Sequence, residues 1–268
     1  MPYAVVESGP WWALFHFTLA AFLMTTVHIL YGNVCYALDG RHRLPGFVRE
    51  YLGTGWYWVA LISRFFSYFG YQLAYGVLAG VFLWNIFPGI SEYVFSTIFF
   101  FCMAPLLLLD LTFAGVINLL LTAPLVGFIV ALFVYAGCYF DISTVVSIPG
   151  GASWFLPYGI FLFAFSGASV IPDIVDLLKH RDRRTFYWTV IVGSAVIALT
   201  YALFILAMLA ITGGVITSDS LSALTGLVPR WVTVLGALIG FLAITTSYFA
   251  LGLELRYTFE YDAGIGKV

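Results

Sequence analysis

The chain has 268 residues, of which 62% are hydrophobic and only 9% are charged, and its formal net charge is -2. A soluble domain carries about a quarter charged residues, so this composition excludes an ordinary soluble protein. Binding to a phosphate backbone needs clustered Lys and Arg, and with a net charge of -2 and no basic stripe along the chain we expect no nucleic-acid partner.

Seven uncharged apolar runs follow one another along the chain. They cover residues 10–38, 65–91, 93–109, 111–140, 142–172, 185–218 and 231–253. Each run is close to, or longer than, the roughly 20 residues that a helix needs to cross about 30 Å of hydrocarbon. The sequence therefore predicts an all-α polytopic membrane protein with seven transmembrane helices, forming a single transmembrane domain over residues 1–268.

The basic residues lie almost entirely in alternate connections between these runs. Nine of them share one predicted side: Arg41, Arg43, Arg49, Lys179, Arg181, Arg183, Arg184, Arg256 and Lys267. The other side holds only Arg230, and Arg64 lies within a span. By the positive-inside rule the nine mark the cytoplasm, so residues 254–268 form a cytoplasmic tail and residue 1 lies outside. We expect a multi-pass protein of the cytoplasmic (inner) membrane.

The first nine residues contain no signal peptide that would carry them outside, so we expect them to be the remnant of a first helix. Met1-Pro-Tyr-Ala-Val-Val-Glu7 has a proline that opens a helix, two apolar residues and an acid, as Ile171-Pro-Asp-Ile-Val-Asp176 has. Proline is favoured at the first helical position. By the topology above, the two segments face opposite sides. Two broken helices of opposite direction are typical of inverted-repeat transporters.

The fifth run is the least regular, because small and polar residues at 166–169 precede Pro172. Proline removes a backbone donor, and glycine tolerates an unwound backbone. The pattern predicts a helix broken near the middle of the membrane, where non-helical backbone survives only inside protein or beside a watery cavity. The alternative is a packing motif in which Gly167 lets two helices approach closely.

Four segments resemble the amino acid permeases of the amino acid/auxin and aromatic amino acid families. Phe163-Ala-Phe-Ser-Gly-Ala-Ser-Val-Ile-Pro-Asp-Ile, followed by the basic residues 179–184, is similar to their sixth helix and the loop after it. Residues 2–9, 43–53 and 243–254 are similar to the end of their first helix, the loop after the second, and the eighth helix. The resemblance implies a leucine-transporter-type inverted-repeat fold, here partial and truncated at both ends, with the seven spans as the second to eighth helices.

The resemblance also implies a binding site. Its residues would be Phe163, Ala164, Phe165, Ser166, Gly167 and Ala168, with carbonyl groups of the break receiving the substrate ammonium. Tyr71 and Tyr75 share a helix face and are candidates for covering the site, or they form an aromatic packing stripe. Thr245, Thr246 and Ser247 match positions where sodium-coupled relatives place hydroxyl ligands, or they bond back to their own helix.

The function that follows is ion-coupled symport of a neutral, aromatic or aliphatic amino acid, without enzymatic activity. The expected partners are the amino acid and the lipid bilayer. No cofactor or resident metal is expected beyond Na⁺ or H⁺ as coupling ion. Some proton-coupled relatives carry a lysine on the helix that corresponds to residues 111–140, and this stretch has no basic residue.

A truncated, non-transporting remnant or an amino acid sensor of the same fold stays open as the alternative. Two other classes are disfavoured. A retinal protein needs a lysine in its last span, but Lys179 and Lys267 lie outside the spans. An intramembrane protease needs paired buried aspartates, and Asp110 lies in a short connection between spans.

Overall fold

The computed structural model describes residues 1–38, 42–107, 114–139, 141–151, 153–178 and 180–263. Their helices are α1 (Pro2–Ser8), α2 (Pro10–Ala37), α3 (Leu44–Leu52), α4 (Thr54–Ile86), α5 (Glu92–Leu106), α6 (Ala114–Ala136), α7 (Ile142–Val146), α8 (Leu156–Phe165), α9 (Ile171–Leu178), α10 (Arg183–Thr212) and α11 (Arg230–Tyr257). Within these ranges there is no β-strand, so the predicted all-α class is confirmed there. Arg41, Asp110, Lys179 and Lys267 lie outside the described residues.

Within the described ranges, five segments are long and apolar enough to cross a membrane. They are Pro10–Ala37, Thr54–Ile86, Leu156–Leu178, Arg183–Thr212 and Arg230–Asp262. Large apolar side chains are exposed on them; Phe66, for example, is 68% exposed. Length, composition and this exposed apolar surface indicate a multi-pass membrane protein.

The other two predicted spans correspond to α5 and α6. Helix α5 has 15 residues and therefore rises about 22 Å, less than the hydrocarbon thickness. Helix α6 has 23 residues, and its apolar stretch over Thr122–Ala136 is shorter than a span. Within the described residues, length and composition together therefore support five of the seven predicted spans.

Two spans begin at other residues than the apolar runs suggest. Helix α4 begins at Thr54, directly after Gly53, and its continuation through Arg64 places that guanidinium 5.7 Å from the ring centroid of Tyr68. The fifth span begins only at Leu156, because Pro149, Gly150 and Gly151 follow the five-residue helix α7 and stop it. An uncharged run therefore locates a span, but Gly and Pro set its ends.

The described residues group into two compact units. The first unit comprises Met1–Ile29, Ala123–Ala168 and Arg181–Ala237, and the second comprises Leu30–Thr122, Ser169–His180 and Leu238–Val268. The core of the first unit is built by α1, α2, α8 and α10 around the fully buried Phe161. The core of the second unit contains Ala79 of α4, Phe99 of α5 and Tyr248 of α11.

Chain segments predicted to share one side of the membrane meet within each unit. In the first unit, Gly9 has φ 86° and lies close to Gly150. A Cβ added to Gly9 would lie only 2.8 Å from the Cα of Gly150. Gly214 likewise lies next to Ile148. In the second unit, Arg43, Asp173 and Glu254 form ion pairs. The sidedness of the chain in a membrane stays a prediction.

Replacing Gly80 by alanine is expected to destabilise the packing of α4 on α5. A Cβ at Gly80 would lie 2.5 Å from the carbonyl oxygen of Glu92 and would overlap Ser96, so the two helices would have to separate. Such overpacking costs about 1 to 3 kcal/mol. The measurement is thermal unfolding of the purified protein in detergent. Gly70→Ala in the same helix is the matched control, because nothing lies within 4 Å of its Cβ position, and equal melting temperatures for both variants would refute the close contact.

Candidate functional site

The segment Leu156–Leu178 is interrupted near its middle. Helix α8 ends at Phe165, Ser166 is extended with φ -67° and ψ 118°, Gly167 is non-helical, and a 3₁₀ turn over Ala168–Val170 leads into α9. The predicted break is therefore present, at the predicted residues. It lies in a segment apolar enough to be in a membrane, where backbone groups cannot turn to water.

Side chains from two other helices of the first unit bond to the backbone of the break. The Nε2 atom of His28, on α2, accepts the N–H of Gly167 at 3.3 Å. The hydroxyl of Tyr201, on α10, donates to the carbonyl oxygen of Ala164 at 2.9 Å. His28 is buried, with 8% of its surface exposed. The interruption is therefore held by polar groups inside protein, as an unwound segment at membrane depth requires.

The six residues predicted to form the substrate pocket lie at this break but face different surroundings. Phe163 and Ser166 are exposed, whereas Ala164, Gly167 and Ala168 are half-buried. Phe165 is buried, and its ring centroid lies 5.2 Å from that of Phe17 and 5.5 Å from that of Tyr201. Phe165 thus belongs to the core of the first unit. A direct role of these six residues in binding a substrate stays a prediction.

Tyr71 and Tyr75 lie in the second unit, one turn apart on α4, and both are half-buried. Tyr75 packs against the core formed by Ala79, Phe99 and Tyr248. The neighbouring Gln72 donates from Nε2 to the carbonyl oxygen of Tyr248 at 3.1 Å. Aromatic packing, the alternative considered for this pair, accounts for the position of Tyr75; a role in covering a site stays a prediction.

The three hydroxyl residues predicted for ion coupling also lie in the second unit, on α11. Thr245 donates to the carbonyl oxygen of Phe241 at 2.8 Å. Thr246 and Ser247 both donate to that of Ala243, at 2.9 and 3.0 Å. Each hydroxyl therefore bonds back to its own helix, which is common for hydroxyls in apolar helices. Sodium coordination by these oxygens stays a prediction.

The largest buried polar cluster that these contacts reveal in the second unit surrounds Arg43, which precedes α3. Its Nη2 lies 2.9 Å from Oδ1 of Asp173, and its Nε lies 3.2 Å from Oε2 of Glu254. The guanidinium also stands 5.3 Å from the ring centroid of Tyr257. Only 6% of Arg43 is exposed. Arg43 was expected simply to mark the cytoplasmic side, and the structure shows that it also joins α3, α9 and α11.

The charge on Arg43 is maintained by its two partners. Burial disfavours the guanidinium, but the carboxylates of Glu254 and Asp173 outweigh this effect and hold the pKa of Arg43 above its ordinary value. Glu254 is itself buried and also hydrogen-bonds to the hydroxyl of Tyr68. The carboxylate therefore depends on Arg43 as its ion-pair partner, since an isolated buried charge is very costly.

Asp262 fixes the backbone around Arg43. A π-helical turn over Thr258–Asp262 follows α11 and brings this carboxylate against the start of α3. Its two oxygens accept the N–H groups of Arg43 at 3.1 Å and Gly46 at 2.8 Å. The carbonyl oxygen of Asp262 accepts the hydroxyl of Tyr57 at 3.1 Å. Gly46 is required because a Cβ there would overlap the Asp262 carboxylate.

The sequence analysis missed His28 as a partner of the break, and Glu254 and Asp262 as partners of Arg43. One signal was visible: a polar residue within or at the end of an apolar run deserves a functional explanation. The partners themselves were not visible, because the bonds join residues 139 and 219 positions apart. Sequence spacing carries no information over such distances.

Among the residues described by the structure, no group of three or more His, Cys, Asp or Glu side chains is placed to hold a metal ion.

Comparison of the chain with models of known protein families, with curated proteins and with solved structures finds no match.

Proposed function

We propose that the chain carries a neutral amino acid, aromatic or aliphatic, across the cytoplasmic membrane by ion-coupled secondary transport. The observation that carries this proposal is the interruption at Ser166 and Gly167 inside an otherwise apolar segment. A regular helix uses its N–H and C=O groups internally, whereas an interrupted one presents some of them to a ligand.

The chemistry of the break suits an amino acid. An ammonium group needs carbonyl oxygens and a carboxylate needs N–H donors, and a break in a helix supplies both types within a few residues. The exposed Phe163 provides an apolar surface one turn from the exposed Ser166. A zwitterion with an apolar side chain matches this combination.

Transport also requires a part that moves. Helix α9 follows the break and carries Asp173, which pairs with Arg43. Asp173 is largely exposed in this pair, with 55% of its side chain accessible, so breaking the pair costs little. In the proposal α9 tilts and opens this contact on the cytoplasmic side. The proposal takes α5 and α6 as two further spans, making seven, in a partial inverted-repeat arrangement.

The test is uptake by the purified chain in liposomes. Labelled phenylalanine and leucine are offered with an inward Na⁺ gradient, an inward H⁺ gradient, or neither. We expect gradient-dependent accumulation that unlabelled neutral amino acids compete away. Binding without accumulation would indicate a sensor, and absence of both binding and accumulation would overturn the proposal.

A variant connects uptake to the break. Ser166→Leu places a large apolar side chain on the exposed side of the interruption and is expected to abolish most uptake; the melting temperature is measured alongside to show that the variant folds. Ser67→Leu is the matched control, because Ser67 is likewise exposed and its hydroxyl donates to the carbonyl oxygen of Ser63 within α4. If the two variants took up the amino acid equally, the interrupted segment would have no part in transport.

A further inference from the structure

His28 is a buried ionisable side chain in direct contact with the break. It lies on α2, and its Nε2 accepts the N–H of Gly167 at 3.3 Å. The imidazole also fills the space beside this glycine, since a Cβ at Gly167 would stand 3.6 Å from its Cε1. A nitrogen that accepts a hydrogen bond carries no proton, so this contact requires the neutral imidazole.

Protonation would reverse this contact. In the imidazolium form both ring nitrogens are donors, and two N–H groups facing each other cannot form a hydrogen bond. The N–H of Gly167 and the N–H of protonated His28 would then both be available to the same acceptor. A carboxylate has two oxygens and a negative charge, so it satisfies both donors and neutralises the imidazolium.

We infer that His28 is a proton-binding residue that couples proton movement to binding of the substrate carboxylate at the break. This inference rests on the proposed transport function and adds that H⁺ is the coupling ion. One proton binds His28 when one substrate carboxylate enters, and both leave on the other side, where the neutral imidazole again accepts the N–H of Gly167. No covalent bond is made or broken.

The surroundings of His28 explain why the proton and the carboxylate would bind together. Among the described residues, His28 forms no ion pair. From α10, Tyr201 faces the break, but its hydroxyl donates to Ala164. On α2 itself, the other titratable side chains are His16, Tyr31, Cys35 and Tyr36, with Tyr31 one turn along the helix from His28. On α1 and α8 they are Tyr3, Glu7 and Tyr158. A buried imidazolium without a counter-ion is costly, so the bound carboxylate is what stabilises it.

The experiment measures the pH profile of uptake. The full chain in liposomes takes up labelled phenylalanine at external values between about pH 5.5 and 8, the range in which imidazole changes charge. A pH-sensitive dye inside the liposomes reports proton entry. For the wild type we expect uptake to increase roughly tenfold from pH 8 to pH 6, with proton entry that depends on substrate.

Replacing His28 by glutamine keeps an acceptor for Gly167 but removes the titration. His28→Gln is expected to show slower uptake with a flat pH profile and no substrate-dependent proton entry. His16→Gln is the matched control: His16 is buried on the same helix, 2% exposed, and its Nδ1 bonds to Trp12 within that helix. It should retain the wild-type profile.

The outcomes separate this inference from the proposed function. Uptake by the wild type that follows Na⁺ and ignores pH, or a His28→Gln variant that still couples to protons, would overturn the role of His28 and leave transport standing. Absence of wild-type uptake under every gradient would overturn both. If His28→Gln does not fold, proton uptake by the detergent-solubilised wild type on adding phenylalanine decides the question, and no proton uptake refutes the inference.

Discussion

Replacement of Arg43 by alanine is expected to destabilise the protein by about 3 to 5 kcal/mol, the usual cost of removing one partner of a buried ion pair. Glu254 is 6% exposed and would lose its counter-charge, while the bond to Asp173 would also be lost. The measurement is thermal unfolding in detergent, where a loss of this size lowers the melting temperature by roughly 10 °C.

Two comparisons make this prediction specific. Arg49→Ala, in the following helix α3, removes a guanidinium that is 40% exposed, lies 4.0 Å from Glu50 and donates to the carbonyl oxygen of Asp262 at 3.3 Å. Because this guanidinium is partly in water, its loss should destabilise the protein clearly less than Arg43→Ala does. The double variant Arg43→Met with Glu254→Leu should recover much of the loss, because it removes both buried charges. A single Arg43→Ala variant as stable as the wild type would show that the buried pair contributes nothing.

Replacement of Asp262 by alanine is expected to release α3 from the turn after α11. The side chain of Asp262 is fully buried, and its removal leaves the N–H groups of Arg43 and Gly46 without their acceptors. Each unsatisfied buried donor costs about 1 to 3 kcal/mol, so the total effect is about 2 to 6 kcal/mol. The release is measured by the rate of tryptic cleavage after Arg49, which reports local opening of this segment.

Control variants distinguish the hydrogen bonds that Asp262 accepts from the negative charge that it carries. Asp262→Asn retains one oxygen acceptor, so cleavage after Arg49 should be intermediate between wild type and Asp262→Ala. Asp141→Ala removes an exposed carboxylate that bonds to Ser143, away from the cleavage site in the sequence, and should leave the cleavage rate after Arg49 nearly unchanged. If Asp262→Ala were cleaved no faster than the wild type, the anchoring of α3 by this side chain would be wrong.

Local patterns predicted the long helices well. The runs 10–38 and 231–253 correspond closely to α2 (Pro10–Ala37) and α11 (Arg230–Tyr257). A long uncharged run has to satisfy its backbone internally in lipid, so the helix follows from the composition alone. The break near Gly167 was predicted for a similar reason, because Gly, Ser and Pro change the backbone conformation at their own positions in the chain.

Other boundaries depended on residues that the hydropathy pattern does not weigh. The run 142–172 suggested a span from its first residue, but the helix that enters the apolar segment begins at Leu156, after Pro149 and two glycines. Helix α4 begins at Thr54, earlier than the run 65–91, and includes Arg64, which the sequence analysis had placed within a span. The guanidinium of Arg64 lies over the ring of Tyr68, a contact that favours a cation at this position.

The helical class, the apolar segments and the place where one of them breaks follow from local sequence, because each depends on residues within a few turns of one another. The contacts of His28 with Gly167, of Arg43 with Asp173 and Glu254, and of Asp262 with the start of α3 follow from the packing of the helices. These contacts join distant parts of the chain. Whether a polar side chain is a surface charge or a buried partner depends on which helices pack around it, and that is fixed by the fold as a whole.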